Sequence, residues 1–284
     1  MKVLVLGASG MLGNAMLRTL GEGAGLDVYG TARSGSVRRY FSPELGDRIL
    51  TGVDVENQDS LTRVLAEVKP QVVVNCVGLV KQLAEADDPL AALPINAMLP
   101  HRLARLCALG GARLVHVSTD CVFAGTRGNY RESDPSDALD LYGKSKFLGE
   151  VDYPQAITLR TSIIGHELSS AHGLVGWFLS QEGQVKGYAR AIFSGLPTVE
   201  LARVVRDVVL PSPDLSGLYH VASAPISKLD LLKLVAEIYG KAIEIVPDDE
   251  LVIDRSLNAE KFNAATGYAA PPWPDLVKKM FEFK

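Results

Sequence analysis

Short apolar runs alternate with stretches of helical spacing through the first 160 residues. After its first residue, Lys2–Leu6 is apolar at every position, which fits a strand covered on both faces. Residues 11–20 then place apolar side chains three and four apart, the spacing of one helical face. The same reading predicts strands at Asp27–Ala32, 49–53, 71–77, 113–118 and 156–160. It predicts helices at Gln58–Val68 and 89–109, the second interrupted by Pro94 and Pro100. Strands and helices in alternation build a parallel sheet with helices on both faces, so the expected class is α/β, doubly wound.

The rhythm changes after residue 160. Helices are expected at 174–179 and 201–210, a strand at 217–221, and an amphipathic helix at 229–239 that Gly240 stops. A short strand at 243–246 and a helix after Pro274 complete the chain. No linker or compositional break separates this part from the first. It is expected to be a smaller substrate-binding lobe, residues 161–284, partly interleaved with a cofactor-binding domain of residues 1–160.

Composition narrows the classes of partner. A formal net charge of −4 with scattered basic residues leaves no footprint for nucleic acid or an anionic membrane. Three cysteines without CxxC spacing and five dispersed histidines give neither a disulfide framework nor a metal site. The apolar run at the amino terminus is too short for a signal peptide. A cytoplasmic protein is expected.

Gly7-Ala8-Ser9-Gly10-Met11-Leu12-Gly13 joins the first strand to the first helix. In this GxxGxxG spacing Gly7 makes the tight turn, Gly10 lets backbone approach a pyrophosphate, and Gly13 lets helix pack on strand. Ser9, Met11 and Leu12 belong to the same turn, whose helix amino terminus offers N–H groups to phosphate oxygens. The second strand ends at Arg33-Ser34 with Arg38 and Arg39 behind, where an acidic residue would have favoured NAD. An arginine fork suits a 2′-phosphate, so NADPH is expected, with NADH admitted. Asp54 and Val55, after the third strand, are candidates for the adenine side; a capping role for Asp54 is the competing reading. Cys76, Val77 and Gly78, at the end of the fourth strand, are assigned to the same cofactor.

Ser118-Thr119-Asp120 falls at the carboxyl end of the fifth strand, the edge where doubly wound sheets bind ligands. Tyr142 and Lys146 are four residues apart and so share one helical face. Carbonyl reduction needs hydride at carbon and a proton at oxygen. A free phenol titrates near 10, and a neighbouring ammonium is expected to draw it down. Thr119 would donate to the carbonyl oxygen.

With these elements in this order, the sequence resembles the extended short-chain dehydrogenase/reductase family over nearly its whole length, and within it the dTDP-4-dehydrorhamnose reductase branch. The resemblance rests on Gly7–Gly13, on the run from Ser118 to Gly125, and on the run from Tyr142 to Glu150. Arg160-Thr161-Ser162 and the run from Ser194 to Thr198 extend it. It implies a Rossmann-type sheet, the trio Thr119, Tyr142 and Lys146, and NADPH-dependent reduction of the 4-keto group of a nucleotide-linked 6-deoxy sugar.

Two departures bear on the substrate. Dehydratases of the wider family carry Asp-Glu after the threonine, whereas here Cys121 follows Asp120, which disfavours elimination. The segment from Cys76 to Gln82 differs from the corresponding run of rhamnose reductases and borders the sugar. A UDP-linked 2-acetamido-4-keto-6-deoxy-L-hexose is therefore carried beside the dTDP sugar. Substrate contacts are expected from Ser118, Thr119, Asp120, Cys121, Lys81, Lys186, Arg190 and Arg255, each cation weighed against a role as solvated surface charge. Asn96 is a candidate near the nicotinamide, against a backbone-bonded asparagine; His116 is read as a core histidine, and Trp177 and Phe178 as packing. The competing activities are an epimerase with tightly held NAD and a non-catalytic NADP(H)-binding subunit. Neither the sugar nor the oligomeric state is fixed, and a homodimer is admitted.

Overall fold

The computed structural model describes residues 1–81 and 84–284. Strands β1 (Lys2–Leu6), β2 (Asp27–Ala32), β3 (Ile49–Thr51), β4 (Val72–Asn75), β5 (Arg113–Thr119) and β6 (Ala156–Thr161) lie in one sheet, all parallel. The spatial order β3-β2-β1-β4-β5-β6 reverses between β1 and β4, and that crevice is where such sheets take their ligands. The all-apolar cores of β1 and β4 are explained by the helices on both sides: Val3 and Val5 face one core and Leu4 and Leu6 the other.

Local signals set the helix ends. The Asn57 carboxamide accepts from the Ser60 amide to start Gln58–Val68, and Ser227 accepts from Asp230 to start Lys228–Tyr239. Gly240, at φ 65, ends the latter. The stretch 89–109 is not broken by its prolines. It runs as helix Pro89–Ala92, a wide π turn Leu93–Met98, and helix Leu99–Leu109. Because Pro94 has no N–H to give, the wide turn accommodates it without ending the helical course.

Past Thr161 most strands are too short to leave a periodic signature, and those expected at 217–221 and 243–246 form at 217–220 and 244–248. The strands of this part are β7 (Ile163–Ile164), β8 (Gln184–Tyr188), β9 (Ala191–Phe193), β10 (Leu196–Pro197), β11 (Gly217–His220), β12 (Ile226–Ser227), β13 (Glu244–Asp248) and β14 (Ile253–Asp254). Seven of them form small sheets, β10-β7, β12-β9-β14 and β13-β8. The eighth, β11, joins the main sheet as its seventh strand, beside β6. The helix Thr198–Val204 packs on the first helix, Met11–Gly21, and one apolar core runs through both parts of the chain. Among the described residues no helix is long and apolar enough to cross a membrane.

Two glycines of the first turn are required by shape. Gly7 sits at φ +85, where a side chain is strained, and a Cβ there would press on Val77 Cγ2. A Cβ at Gly13 would be driven into the Gly7 carbonyl oxygen, which is backbone and cannot turn aside. Gly13→Ala should therefore lower stability by about 1–3 kcal/mol through overpacking. A urea denaturation midpoint equal to that of the parent would show that the turn is looser than its geometry.

Candidate active site

No side chain caps the helix Met11–Gly21, whose N-cap is Gly10. Its first-turn amides are thus left for an anion, as the pyrophosphate turn requires. Gly10 has open space on its Cβ side apart from the Gly7 carbonyl, so backbone can be approached closely there. Met11 packs its methyl group against Gly173, whose amide donates to Glu167 Oε2 (2.8 Å). The carboxyl part therefore reaches over the turn through a segment the sequence reading did not single out. Ser9 is exposed in the turn, and Leu12 and Gly13 are buried at the start of the helix. These residues fit a dinucleotide.

At the adenine end the arginines separate. Arg38 is committed, donating from Nη2 to the Ile49 carbonyl (2.8 Å), and Arg39 is bonded to Tyr40. The Arg33 side chain is exposed and makes no hydrogen bond among the described residues, beside Ser34, whose hydroxyl caps the turn Gly35–Tyr40. Asp54 Oδ1 accepts from the Glu56 amide (3.0 Å), as a local cap does, while Val55 is half-buried next to it. Cys76, Val77 and Gly78 border the crevice: Val77 touches Gly7, and the Cβ direction of Gly78 points toward Lys146 Nζ and Asn96. Burial pushes the Cys76 thiol up to about 12.

The trio is gathered by two elements. Thr119 ends β5, and Tyr142 and Lys146 lie on the helix Leu141–Leu148, which Asp140 caps by accepting from the Gly143 amide (2.7 Å). Lys146 is buried and donates from Nζ to the Val117 carbonyl (2.9 Å). Desolvation draws its ammonium down to about 8, against the opposing pull of Glu150. The expectation that lysine lowers the phenol is not met in the protein alone. Burial first, and the neighbouring Cys121, Asp120 and Asp140, raise Tyr142 above its ordinary value, with only a Thr119 hydrogen bond pulling it down. Tyr142 is consequently held as a phenol, the form needed to give a proton.

Ser118 does not face the crevice with Thr119. Successive strand residues point to opposite faces, and the Ser118 hydroxyl donates inward to Glu150 Oε1 (2.7 Å). The substrate contact expected of it is corrected accordingly. Glu150 also accepts from Arg160 Nε (2.8 Å) and Nη2 (2.5 Å), a bidentate pair almost wholly buried. Arg160 Nη1 meets His220 Nε2 (2.9 Å), and His220 Nδ1 meets the Tyr130 carbonyl (3.0 Å). Because Arg160 has only donors, Nε2 accepts and Nδ1 carries the proton. Burial and the Arg160 charge drive His220 down to about 3, which keeps it neutral. The signal for Glu150 was its place four residues after Lys146.

Of the other expected residues, Arg255 reaches the site. Its Nε donates to the Phe123 carbonyl (2.7 Å), and its Nη1 lies 3.7 Å from Cys121 Sγ. Lys81 stands at the rim, paired with Asp140 Oδ2 (2.6 Å). Gln82, at the end of its segment, lies outside the described residues. Lys186 is not brought to the trio: it is exposed on β8 and paired with Asp248 Oδ2 (2.7 Å). Arg190 is exposed, with its carbonyl accepting from Ile253, and no described contact ties its guanidinium to the trio. Charge alone does not tell which face of a short strand or turn a residue occupies.

Asn96 is buried in the π turn and clamps backbone, accepting from the Leu79 amide (2.9 Å) and donating to its carbonyl (3.1 Å). His116 is a core histidine, bonded at Nδ1 to Asn75 (3.2 Å), with Nε2 unpartnered among the described residues. Phe178 is core, whereas Trp177 is 38% exposed. A cleft of about 720 Å³ runs along the outer flank of Met11–Gly21, lined by Arg18, Tyr40, Phe41 and His166, and contains none of the trio. The trio's chemistry rather than cavity size locates the reaction.

A family model for the RmlD substrate binding domain matches residues 1–282. The chain is 31% identical over 253 residues to the probable low-salt glycan biosynthesis reductase Agl14 of Haloferax volcanii, covering 84% of this chain and 81% of that protein. It is 27% identical over 309 residues to dTDP-4-dehydrorhamnose reductase of Salmonella typhimurium, covering 99% of this chain and 97% of the relative. The crystal structure of a dTDP-4-dehydrorhamnose reductase from Bacillus anthracis in complex with NADP superposes with TM-score 0.80 at 21% identity, over 100% of this chain and 99% of that one. The fold is thus that of the extended reductases.

Lys146 also carries a cost that can be measured. Its folded value of about 8 lies below the ordinary 10.5, so the fold releases this proton more readily than the unfolded chain. The penalty is complete below about pH 8 and fades as pH rises from there toward 10.5. It is on the order of 3 kcal/mol at most. Lys146→Met should therefore stabilise the protein at pH 7, by less at pH 10, while removing activity. A variant less stable than the parent at pH 7 would contradict this account of the buried charge.

Proposed function

The chain belongs to the RmlD substrate binding domain family, and from that premise we propose that it is an NADPH-dependent oxidoreductase that reduces the 4-keto group of a nucleotide-linked 4-dehydro-6-deoxy-L-hexose. The observation that carries this is the convergence of Thr119, a protonated Tyr142 and the buried ammonium of Lys146 at the carboxyl edge of the sheet. The relatives named as reductases support the reaction class, and the solved structure in complex with NADP supports the cofactor. The dTDP sugar is the preferred substrate, with a UDP-linked 2-acetamido sugar as the alternative; a role in supplying sugars for surface polysaccharide, in the cytoplasm, accompanies either.

NADPH supplies the hydride. Residues 1–160 hold it, with the amides after Gly10 on the pyrophosphate and Arg33 and Ser34 on the 2′-phosphate, and residues 161–284 with Lys81 and Arg255 supply the sugar-nucleotide side. Thr119 donates a hydrogen bond to the carbonyl oxygen, fixing its orientation and stabilising the charge that develops there. Tyr142 gives its phenolic proton to that oxygen. As the phenol becomes phenolate, the Lys146 ammonium four residues away on the same helical face stabilises it. Cys121, neutral with its thiol pushed up to about 12, offers no second acid for elimination of water, which favours reduction over dehydration.

Oxidation of NADPH and of NADH is followed with a panel of dTDP- and UDP-linked 4-keto-6-deoxy sugars. Rapid NADPH loss with one member is expected; no oxidation with any, alongside bound cofactor, would reject the reading. Tyr142→Phe should lower kcat by about 10²–10⁴-fold with NADPH binding unchanged. Arg33→Ala should weaken NADPH by about tenfold or more, the value of a charge-assisted contact, and leave NADH alone; equal loss for both would place the 2′-phosphate elsewhere.

A further inference from the structure

Lys146 takes its fixed point from a backbone carbonyl that the sheet leaves open. The parallel ladder between β4 and β5 ends at the pair Asn75 and His116. One rung further, the register would set the Val77 amide on the Val117 carbonyl. That rung is missing. The Val77 amide donates instead to Asn75 Oδ1 (3.1 Å), a side-chain turn closed two residues on. On its other side β4 is still paired, with the Cys76 amide donating to the Leu6 carbonyl (3.2 Å). The strand therefore stops only toward β5. The Val117 carbonyl freed there accepts from Lys146 Nζ (2.9 Å).

We propose that Asn75 is a positioning residue for the reduction: by taking the Val77 amide on its side chain, it reserves the Val117 carbonyl for the Lys146 ammonium. This rests on the reading of Tyr142 and Lys146 given above. Asn75 is 1% exposed, and its amide has only one workable orientation. Its Nδ2 meets His116 Nδ1 (3.2 Å), and because an amide nitrogen only donates, Nδ1 accepts and Oδ1 is left to face Val77. Reversed, the amide would set donor against donor at Val77. The core histidine thus orients the group that ends the strand. Beyond the turn the chain runs past the ammonium, since a Cβ at Gly78 would meet Lys146 Nζ at 3.8 Å. Without the Asn75 oxygen, the Val77 amide would be drawn to the acceptor the register offers it, the Val117 carbonyl, in competition with Lys146.

Asn75→Ala and Asn75→Ser test this as a pair. Both lose the contact with His116, and they differ in one oxygen, which in Asn75→Ser can accept from the amide two residues on. In Asn75→Ala the Val77 amide should close the missing rung and displace the ammonium. Its kcat for NADPH oxidation with dTDP-4-dehydrorhamnose should fall by about 10²-fold, the loss that a misplacement of about 1 Å brings, and Asn75→Ser should recover about tenfold of it. A spectroscopic signal reads the contact itself. The Val-Ser sequence occurs once in the chain, so ¹³C-carbonyl valine with ¹⁵N-serine isolates the Val117 carbonyl for NMR. Around Lys146, Glu150 is paired with Arg160, while burial raises Tyr142, pushes Cys76 up to about 12 and holds His116 down. Lys146, at about 8, is left to titrate between them. With NADP⁺ bound, the carbonyl shift should follow that titration in the parent and in Asn75→Ser, and stay flat in Asn75→Ala. Equal kcat in the two variants would overturn the proposal, as would a parent carbonyl indifferent to the Lys146 charge; the parent's signal can do so even where a variant does not fold. A parent that turns over no keto sugar would instead sink the reaction assigned above, and the carbonyl signal would still decide whether Asn75 governs the place of Lys146.

Discussion

A carboxylate and a guanidinium buried side by side hold the working end of this molecule together. Glu150 follows the helix that carries Tyr142 and Lys146, and Arg160 sits on β6, in register with Ser118 of β5. Their bidentate pair ties three elements at one point, and Ser118 adds the third bond. Arg160 in turn reaches His220 on β11 and stacks over the Phe123 ring, centred 5.0 Å away, in the loop that follows Thr119. A buried pair of this kind adds little net stability, but losing one member leaves an uncompensated charge at a cost of about 3–5 kcal/mol. Its contribution here is geometric. The same carboxylate that anchors Arg160 also opposes the desolvation of Lys146.

The main sheet was legible because its strands are buried on both faces and read as unbroken apolar runs, such as Val72-Val73-Val74. The turn Gly7–Gly13 and the pair Tyr142 and Lys146 were legible because each is a local spacing with a mechanical meaning. Most small strands of the carboxyl part were not, since two or three residues hold no period; of the longer ones, β11 and β13 were expected and β8 was not. The contrast between Ser118 and Thr119 was available in principle from strand alternation, but only once the buried partner of Ser118 was known. Lys186 shows what a charge in the sequence does not reveal. Lys186 is taken up by Asp248, which the chain supplies 62 residues later through the pairing of β8 with β13 (248 − 186 = 62).

The expected lowering of Tyr142 failed for a physical reason. The lysine was weighed as a charge and the site as though it were solvent. In the fold, Lys146 spends its Nζ on the Val117 carbonyl while the phenol is surrounded by Cys121, Asp120 and Asp140. The site at rest stores its proton. Transfer then depends on what enters the crevice rather than on a phenolate waiting in it.

The placement of β11 has a bearing on motion. This strand comes from the carboxyl part, yet it is paired to β6 at four positions from Gly217 to His220. Two halves joined by a flexible connection can close on a ligand like jaws. Here a swing about residues 160–161 would have to unzip β11 from the sheet and pull His220 off Arg160. Beyond the sheet, the segment Glu167 to Gly173 also leans on Met11 of the first part. The two parts are stitched together by a shared sheet and a shared core, and a jaw-like swing would have to break both.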